Sequence, residues 1–294
     1  MAMGGKRIRP KLVVTSCGVC GGNPEEAHAA AKAVEMLHNF TLIHDDIMDN
    51  ANSRRGYETV HLKWDVPIAI LSGDALFALA FDQLSYYGES DKYDKNTFYR
   101  LTKVFTKATK IVCEGQARDL SFEKRQDVSL DEYLLMIEQK TASLLSASMS
   151  MGGIVAQTDD RNIEILEKIG MQIGLAFQIQ DDLLDAIGDP TKFGKKTGGD
   201  IREGKKTYLS ILAAKMANRS DKIILESILQ SKSVTDTEVQ KVIDIFHESG
   251  VIQLTKDYIQ KLYSNSIELL NYYEKSSYTD EINLILNQLT VREN

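Results

Sequence analysis

Proline is scarce in this chain: four residues in 294, at positions 10, 24, 67 and 190. Each lies near a boundary between candidate helices. The long stretches between them are rich in Ala, Leu, Ile, Lys and Glu, which is the composition of helices rather than strands. Cysteine is also scarce, with Cys17, Cys20 and Cys113 only. Three thiols build no disulfide framework and fit a reduced cytoplasm. Cys17-Gly-Val-Cys20 has redox or zinc spacing, but no second pair follows and no βαβ pattern surrounds it. It reads as packing within a helix. No apolar run approaches the ~18 residues that would cross a bilayer, so no transmembrane helix is expected. No signal peptide precedes the first basic segment. Positive charge is in deficit, with 35 Lys and Arg against 42 Asp and Glu and a net charge of −7. That balance argues against a nucleic-acid surface.

What positive charge there is comes in islands. Lys6, Arg7, Arg9 and Lys11 form one, and Arg54 and Arg55 another. Lys192, Lys195, Lys196, Arg202, Lys205 and Lys206 form a third. Two of the three directly follow clusters of acid. Basic islands in an acidic protein point to local anion sites rather than a general field.

The first acid cluster stands in the stretch from His38 to Arg55, HNFTLIHDDIMDNANSRR. A helix-forming apolar run delivers Asp45, Asp46 and Asp49. Positions i and i+4 share a helix face, so Asp45 and Asp49 stack ~6 Å apart along the axis. Like charges so placed cost a few tenths of a kcal/mol. Asn50, Asn52 and Ser53 then mark a helix end, where negative charge opposes the helix dipole. The spacing returns at Gln180–Asp185 as QDDLLD, with Asp181, Asp182 and Asp185. One cluster alone reads as easily as a solvated acidic face. Two, each ending an apolar run and each followed by basic residues, do not. An all-carboxylate donor set suits a hard cation, and Mg²⁺ is the usual one beside phosphates.

Along the chain, helices are expected over residues 11–20, 25–49, 66–71, 74–86, 97–123, 130–155 and 163–186, then from Thr207 onward, including 237–248, 251–273 and 280–291. Residues 50–57 read as a loop. Residues 188–206, rich in Gly and Lys, read as a mobile loop. No linker splits the chain, so residues 1–294 form a single helical domain in this reading.

These residues resemble the trans-isoprenyl diphosphate synthases, the head-to-tail prenyltransferases. The likeness runs from GGKRIRP to about Leu212, with the paired aspartate motifs and the RRG after the first as its most specific parts. Related terpene cyclases share the fold and the first motif, but typically carry an Asn/Ser/Glu pattern in place of DDLLD. The resemblance implies an all-α bundle of ten or more helices around a central cavity, of the isoprenoid synthase type. It implies condensation of isopentenyl diphosphate with an allylic diphosphate, releasing diphosphate. Asp45, Asp49 and Asp181 match direct Mg²⁺ ligands for about three ions. Asp46, Asp182 and Asp185 match positions acting through water or from behind. Lys6, Arg9, His38 and Arg55 match the grip on isopentenyl diphosphate. Arg54, Lys140, Thr141, Gln178, Lys195 and Lys205 match the allylic side. The catalytic set is then Asp45, Asp49, Arg54, Lys140, Asp181 and Lys195, with residues 188–206 as a lid. Phe40, five residues before Asp45, matches an aromatic floor that limits product length. With the unexpanded DDIMD it implies a short product, geranylgeranyl diphosphate first, farnesyl or longer diphosphates as alternatives. A homodimer in the cytoplasm is the implied assembly. Relatives carry a few dozen residues before GGKRIRP, whereas this chain starts at Met1.

Two other classes fit less well. A metal phosphohydrolase built on His44 and Asp45 needs more histidines than the five at 28, 38, 44, 61 and 247. A non-catalytic subunit that binds prenyl diphosphates would be expected to have lost some of the acids or bases, and all are present.

Overall fold

The computed structural model describes residues 5–188, 197–231 and 233–290. The described chain is all-α apart from one two-residue pairing of Ser53–Arg54 with Tyr57–Glu58. The helices are α1 (Ile8–Val19), α2 (His28–Met48), α3 (Val60–Lys63), α4 (Val66–Glu89), α5 (Lys95–Phe122), α6 (Leu130–Ile137), α7 (Ser143–Val155) and α8 (Asp160–Ile187). A short turn α9 (Gly199–Arg202) follows, then α10 (Tyr208–Met216), α11 (Arg219–Leu229), α12 (Asp236–Glu248), α13 (Val251–Leu270) and α14 (Ser277–Thr290).

Local chemistry sets many of the boundaries. The Asp65 side chain accepts the Ile68 amide at 2.7 Å and starts α4, with Pro67 in the first turn, where a missing N–H costs nothing. Ser129 with Glu132, and Thr235 with Glu238, form capping boxes at α6 and α12. Residues 66–89 make one helix where the sequence pattern suggests two. Gly73 interrupts the apolar run without breaking the helix, because its missing Cβ is the space filled by the His44 ring. The continuous helix holds an 18-residue window of mean hydropathy 1.4, which by length and composition alone would suit a bilayer. The broken reading hid this.

The chain folds into two compact units. The first holds residues 1–110, 144–168 and 273–282, and the second residues 111–143, 169–272 and 283–294. In the first, Ala30, Val34 and Leu37 of α2 and Ala69, Ala80 and Leu84 of α4 are buried, and α2 packs chiefly on α4. The other side of α4 is an exposed stripe: Ile68, Leu71 and Leu79 are 44%, 62% and 47% exposed. In the second unit, Ile173, Ile179 and Leu183 of α8 are buried, as are Leu209, Phe246 and Tyr263.

Candidate active site

Each acid cluster occupies the last turns of a long helix. Asp45 and Asp46 lie in the final turn of α2 with Asp49 as its C-cap, and Asp181, Asp182 and Asp185 lie in the last two turns of α8. Neither helix has a basic residue in its last turn to balance the carbonyl end of the dipole. Within each cluster the acids divide the same way. The second member is buried, Asp46 at 4% exposure and Asp182 at 6%, while the first and last members reach solvent. Asp46 accepts from Nε of Arg54 at 2.6 Å. Burial raises the Asp46 pKa and the Arg54 charge opposes that rise. Asp182 accepts from the Tyr133 hydroxyl and from the Tyr208 amide at 3.3 Å. Burial, joined by the Asp200 charge, pushes Asp182 up to about 7.

Asp185 does a third job. Its carboxylate accepts the Asp200 amide at 2.9 Å and its carbonyl accepts the Gly198 amide at 2.6 Å. It fastens the chain where it returns at α9. Asp200 is the acid the sequence reading missed. Burial, with the Asp185 charge adding to it, pushes Asp200 up to about 6. The spacing after the Gly-Gly pair carries no signal for it.

Arg54 and Arg55 leave the loop reading of residues 50–57 incomplete. Arg54 pairs with Tyr57 across a two-residue turn in which Arg55 has φ +54° and Gly56 φ +79°. Both central residues are left-handed, as a type I′ hairpin turn requires. For a non-glycine residue this conformation costs ~1–2 kcal/mol. The turn sends Arg54 back to Asp46 and Arg55 toward the first segment, where its guanidinium fills the space beside Gly5.

That first segment supplies Arg9, whose Nη1 lies 3.1 Å from Nε2 of His38. A guanidinium only donates, so Nε2 accepts, the ring proton sits on Nδ1 and the imidazole is neutral. Burial, with Arg9, Arg55 and Arg54 adding positive charge, holds the His38 pKa well below its ordinary value. Burial also brings Arg9 down to about 10, against the opposing pull of Glu35. Arg9 Nε is buried with no partner among the described residues. Three arginines thus place positive charge around one neutral histidine, with Arg54 held by Asp46 and Arg9 under the pull of Glu35.

In the second unit, Lys140 and Thr141 sit in a π turn, Glu138–Ala142, which the sequence reading merged into one helix over 130–155. Two glycines make room for it. A Cβ on Gly115 of α5 would lie 2.3 Å from the Lys140 amide nitrogen, and one on Gly174 of α8 would lie 2.3 Å from the Ala142 Cα. Wide turns of this kind recur at functional positions. Lys140 Nζ pairs with Asp119 at 2.5 Å. The Thr141 hydroxyl donates to Oε1 of Gln178 at 2.9 Å, and Nε2 of Gln178 donates to Asp182 at 3.2 Å.

The remaining expected residues fall as follows. Lys6 is exposed beside Gly5 in the first segment. Lys205 lies 2.8 Å from Glu203 and 3.6 Å from Asp200, so an anion there would compete with acids of its own turn. Lys195 lies outside the described residues, as does the rest of 189–196 of the expected lid, whereas 197–206 are described and include α9. Phe40 heads an aromatic ladder. Its ring centroid is 5.2 Å from Phe77, which is 5.2 Å from Phe81, which is 5.1 Å from Phe105. Cys17 and Cys20 are unpaired, and burial pushes their thiols up to about 12 and about 11, opposite to what redox or metal chemistry needs. A cavity of about 720 Å³ runs along α1, lined by Arg7, Pro10, Val14 and Met36 among others, and none of the acid clusters borders it.

Among the described residues, no three His, Cys, Asp or Glu side chains are gathered into a ready-made metal cage. The acids of both clusters that reach solvent are oxygen donors, the ligand type a hard divalent cation takes.

The chain is 44% identical over 291 residues to a geranylgeranyl diphosphate synthase of Saccharolobus solfataricus, covering 98% of this chain and 86% of that one. It is 46% identical over 246 residues to a short chain isoprenyl diphosphate synthase of Methanocaldococcus jannaschii, covering 84% and 73%. The fold matches the crystal structure of a geranylgeranyl pyrophosphate synthetase from Pyrococcus horikoshii with a TM-score of 0.92 at 39% identity, over 99% of this chain and 87% of that one. The family model described as Polyprenyl synthetase matches residues 1–246. This chain therefore belongs to the polyprenyl synthetase family.

Proposed function

We propose that this protein is a prenyltransferase that joins isopentenyl diphosphate to an allylic diphosphate and releases diphosphate, with geranylgeranyl diphosphate as the main product. The observation that carries this reading is the shared design of the two acid clusters. Each ends a long helix at its negative pole, keeps one acid buried on protein donors, and leaves the flanking acids toward solvent. Such a design accumulates electrostatic cost that a bound cation removes.

Asp45, Asp49 and Asp181 would hold Mg²⁺, about three ions in all. Bound there, the metal supplies charge to the departing diphosphate. The chain's own residues do the rest. Arg9, Arg55 and Lys6 grip the diphosphate of isopentenyl diphosphate, with neutral His38 as a further hydrogen-bonding partner. Arg54, Lys140, Lys195 and Lys205 stabilise the allylic diphosphate as the carbon–oxygen bond breaks, a preorganised field of the kind that usually dominates catalysis. Thr141 and Gln178 supply dipoles to the allylic cation. Phe40 stops the growing tail, and the relatives named for short and C20 products support that length.

We take residues 1–294 as one domain. Four of the five chain crossings between the two units fall inside helices α5, α7, α8 and α14, where domain linkers are not found. The exposed apolar stripe of α4 is the surface for a second copy, giving a homodimer. A reduced cytoplasm accounts for a chain with only three cysteines.

Incubation with radiolabelled isopentenyl diphosphate, farnesyl diphosphate and Mg²⁺ tests the reading. A radiolabelled C20 diphosphate is expected, lost on chelation and restored by Mg²⁺. Binding of both substrates without any condensation would leave a non-catalytic subunit instead.

A further inference from the structure

The hydrogen bonds of Asp182 run in one direction. Three donors converge on Asp182 and favour its ionised form, in which both oxygens accept. Its Oδ2 takes the Tyr133 hydroxyl and the Tyr208 amide, which is the first amide of α10 and has no partner inside that helix. Its Oδ1 takes the Gln178 side chain at 3.2 Å. The end of the Gln178 amide that faces Asp182 must therefore be the NH₂. The oxygen end is left for Thr141, and Thr141 must donate to it, at 2.9 Å. The hydroxyl proton of Thr141 is thus committed, and the oxygen can offer only lone pairs to whatever binds beside it.

We infer that Asp182, held by Tyr133, is a positioning residue that fixes the polarity of Gln178 and Thr141 so that the site presents oxygen, never a proton, to a developing allylic cation. The inference rests on the prenyl-transfer reading above and extends it to Tyr133 and Asp182, which touch no substrate in it. Geometry supports it independently of the acid motif. Tyr133 is 2% exposed, and its hydroxyl donates to Asp182. The π turn that carries Thr141 packs so closely on Gly115 and Gly174 that neither has room for a Cβ, which restrains the Thr141 backbone. Were Tyr133 lost, one lone pair of Asp182 would go unfilled and the carboxylate could rotate. Gln178 could then flip, and Thr141 would be freed to turn its proton toward the cation.

The test uses the full chain with Mg²⁺, isopentenyl diphosphate and farnesyl diphosphate. Tyr133→Phe, Thr141→Val and the double variant are compared in kcat, in KM for each substrate and in melting temperature. Tyr133→Phe is expected to lower kcat roughly ten-fold with both KM values within about two-fold, because the loss is confined to the transition state. In the double variant the two losses should not multiply, since both remove one network. An allylic substrate fluorinated next to the reacting carbon, whose cation is harder to form, should be slowed further by Tyr133→Phe than the parent substrate is. A purely structural role would leave that ratio unchanged. If Tyr133→Phe does not fold, Asp182→Asn replaces it in the same cycle. A folded Tyr133→Phe with unchanged kcat, or losses that multiply, overturns the inference while the function stands. A wild-type chain that forms no prenyl product overturns both.

Discussion

Arg9 and His38 meet at 3.1 Å, and because the guanidinium can only donate, the histidine is neutral in the folded protein. Burial and three nearby arginines keep it so. The unfolded chain has no such constraint.

Stability should therefore depend on pH through His38. Its folded pKa lies below the unfolded value of 6.5. Between those values the unfolded chain binds more protons, so stability rises with pH across the window and is lost as pH falls through it. One such group contributes at most about 1.4 kcal/mol per pH unit. Urea midpoints measured from pH 7 down to about 5 should fall for the wild type and fall less for His38→Gln. Parallel lines for the two proteins would remove His38 from the account.

Gly174→Ala and Gly115→Ala should destabilise the protein and reduce its activity. A glycine-to-alanine change inside a helix ordinarily gains about 1 kcal/mol. Here the added methyl meets backbone at 2.3 Å on each side of the π turn. Backbone cannot swing aside as a side chain does, and overpacking typically costs about 1–3 kcal/mol. The net sign is destabilising, read as a lower melting temperature. A Gly174→Ala protein as stable and active as the wild type would show that the turn is not clamped.

Phe40→Ala should lengthen the product. Phe40 is the first ring of the ladder that continues through Phe77 and Phe81 to Phe105. Removing it opens space beside the helix face that bears Asp45, with Phe77 as the next barrier. Reversed-phase separation of the dephosphorylated products should show chains beyond C20. An unchanged product distribution would take Phe40 out of length control.

On the proposal that the exposed face of α4 seats a second copy, Ile68→Glu combined with Leu71→Glu should leave a monomer where the wild type is a dimer, and a monomeric wild type would remove the proposal. Both side chains stand on the exposed face of α4, and neither belongs to the buried set that packs on α2. Their replacement therefore changes the surface and not the core. Light scattering after size exclusion would report the mass. A variant that stays dimeric moves the interface elsewhere.

The helical placement of the acids was legible in the residues. The i, i+1, i+4 acid spacing predicts which carboxylates share a face, and the structure sets Asp45 and Asp49 one turn apart at the end of α2 as that spacing requires. The π turn at Glu138–Ala142 was not legible. Nothing in EQKTA departs from helical composition, and the widening depends on two glycines distant in sequence, Gly115 and Gly174. The hairpin at Arg54–Tyr57 gave only the weak signal of one glycine after two arginines.

Residue order alone sets the all-helical class and puts both acid clusters at helix ends, because periodicity, spacing and residue type act over one or two turns; the family comes from the resemblance of the motifs. The division of labour among the acids waits for folding: Asp46 goes to Arg54, Asp182 to Tyr133 and Tyr208, and Asp185 to the amide of Asp200. Adjacent aspartates are chemically identical in one dimension. They differ only once folding buries one and exposes its neighbour, because a buried carboxylate must find donors wherever the rest of the chain brings them.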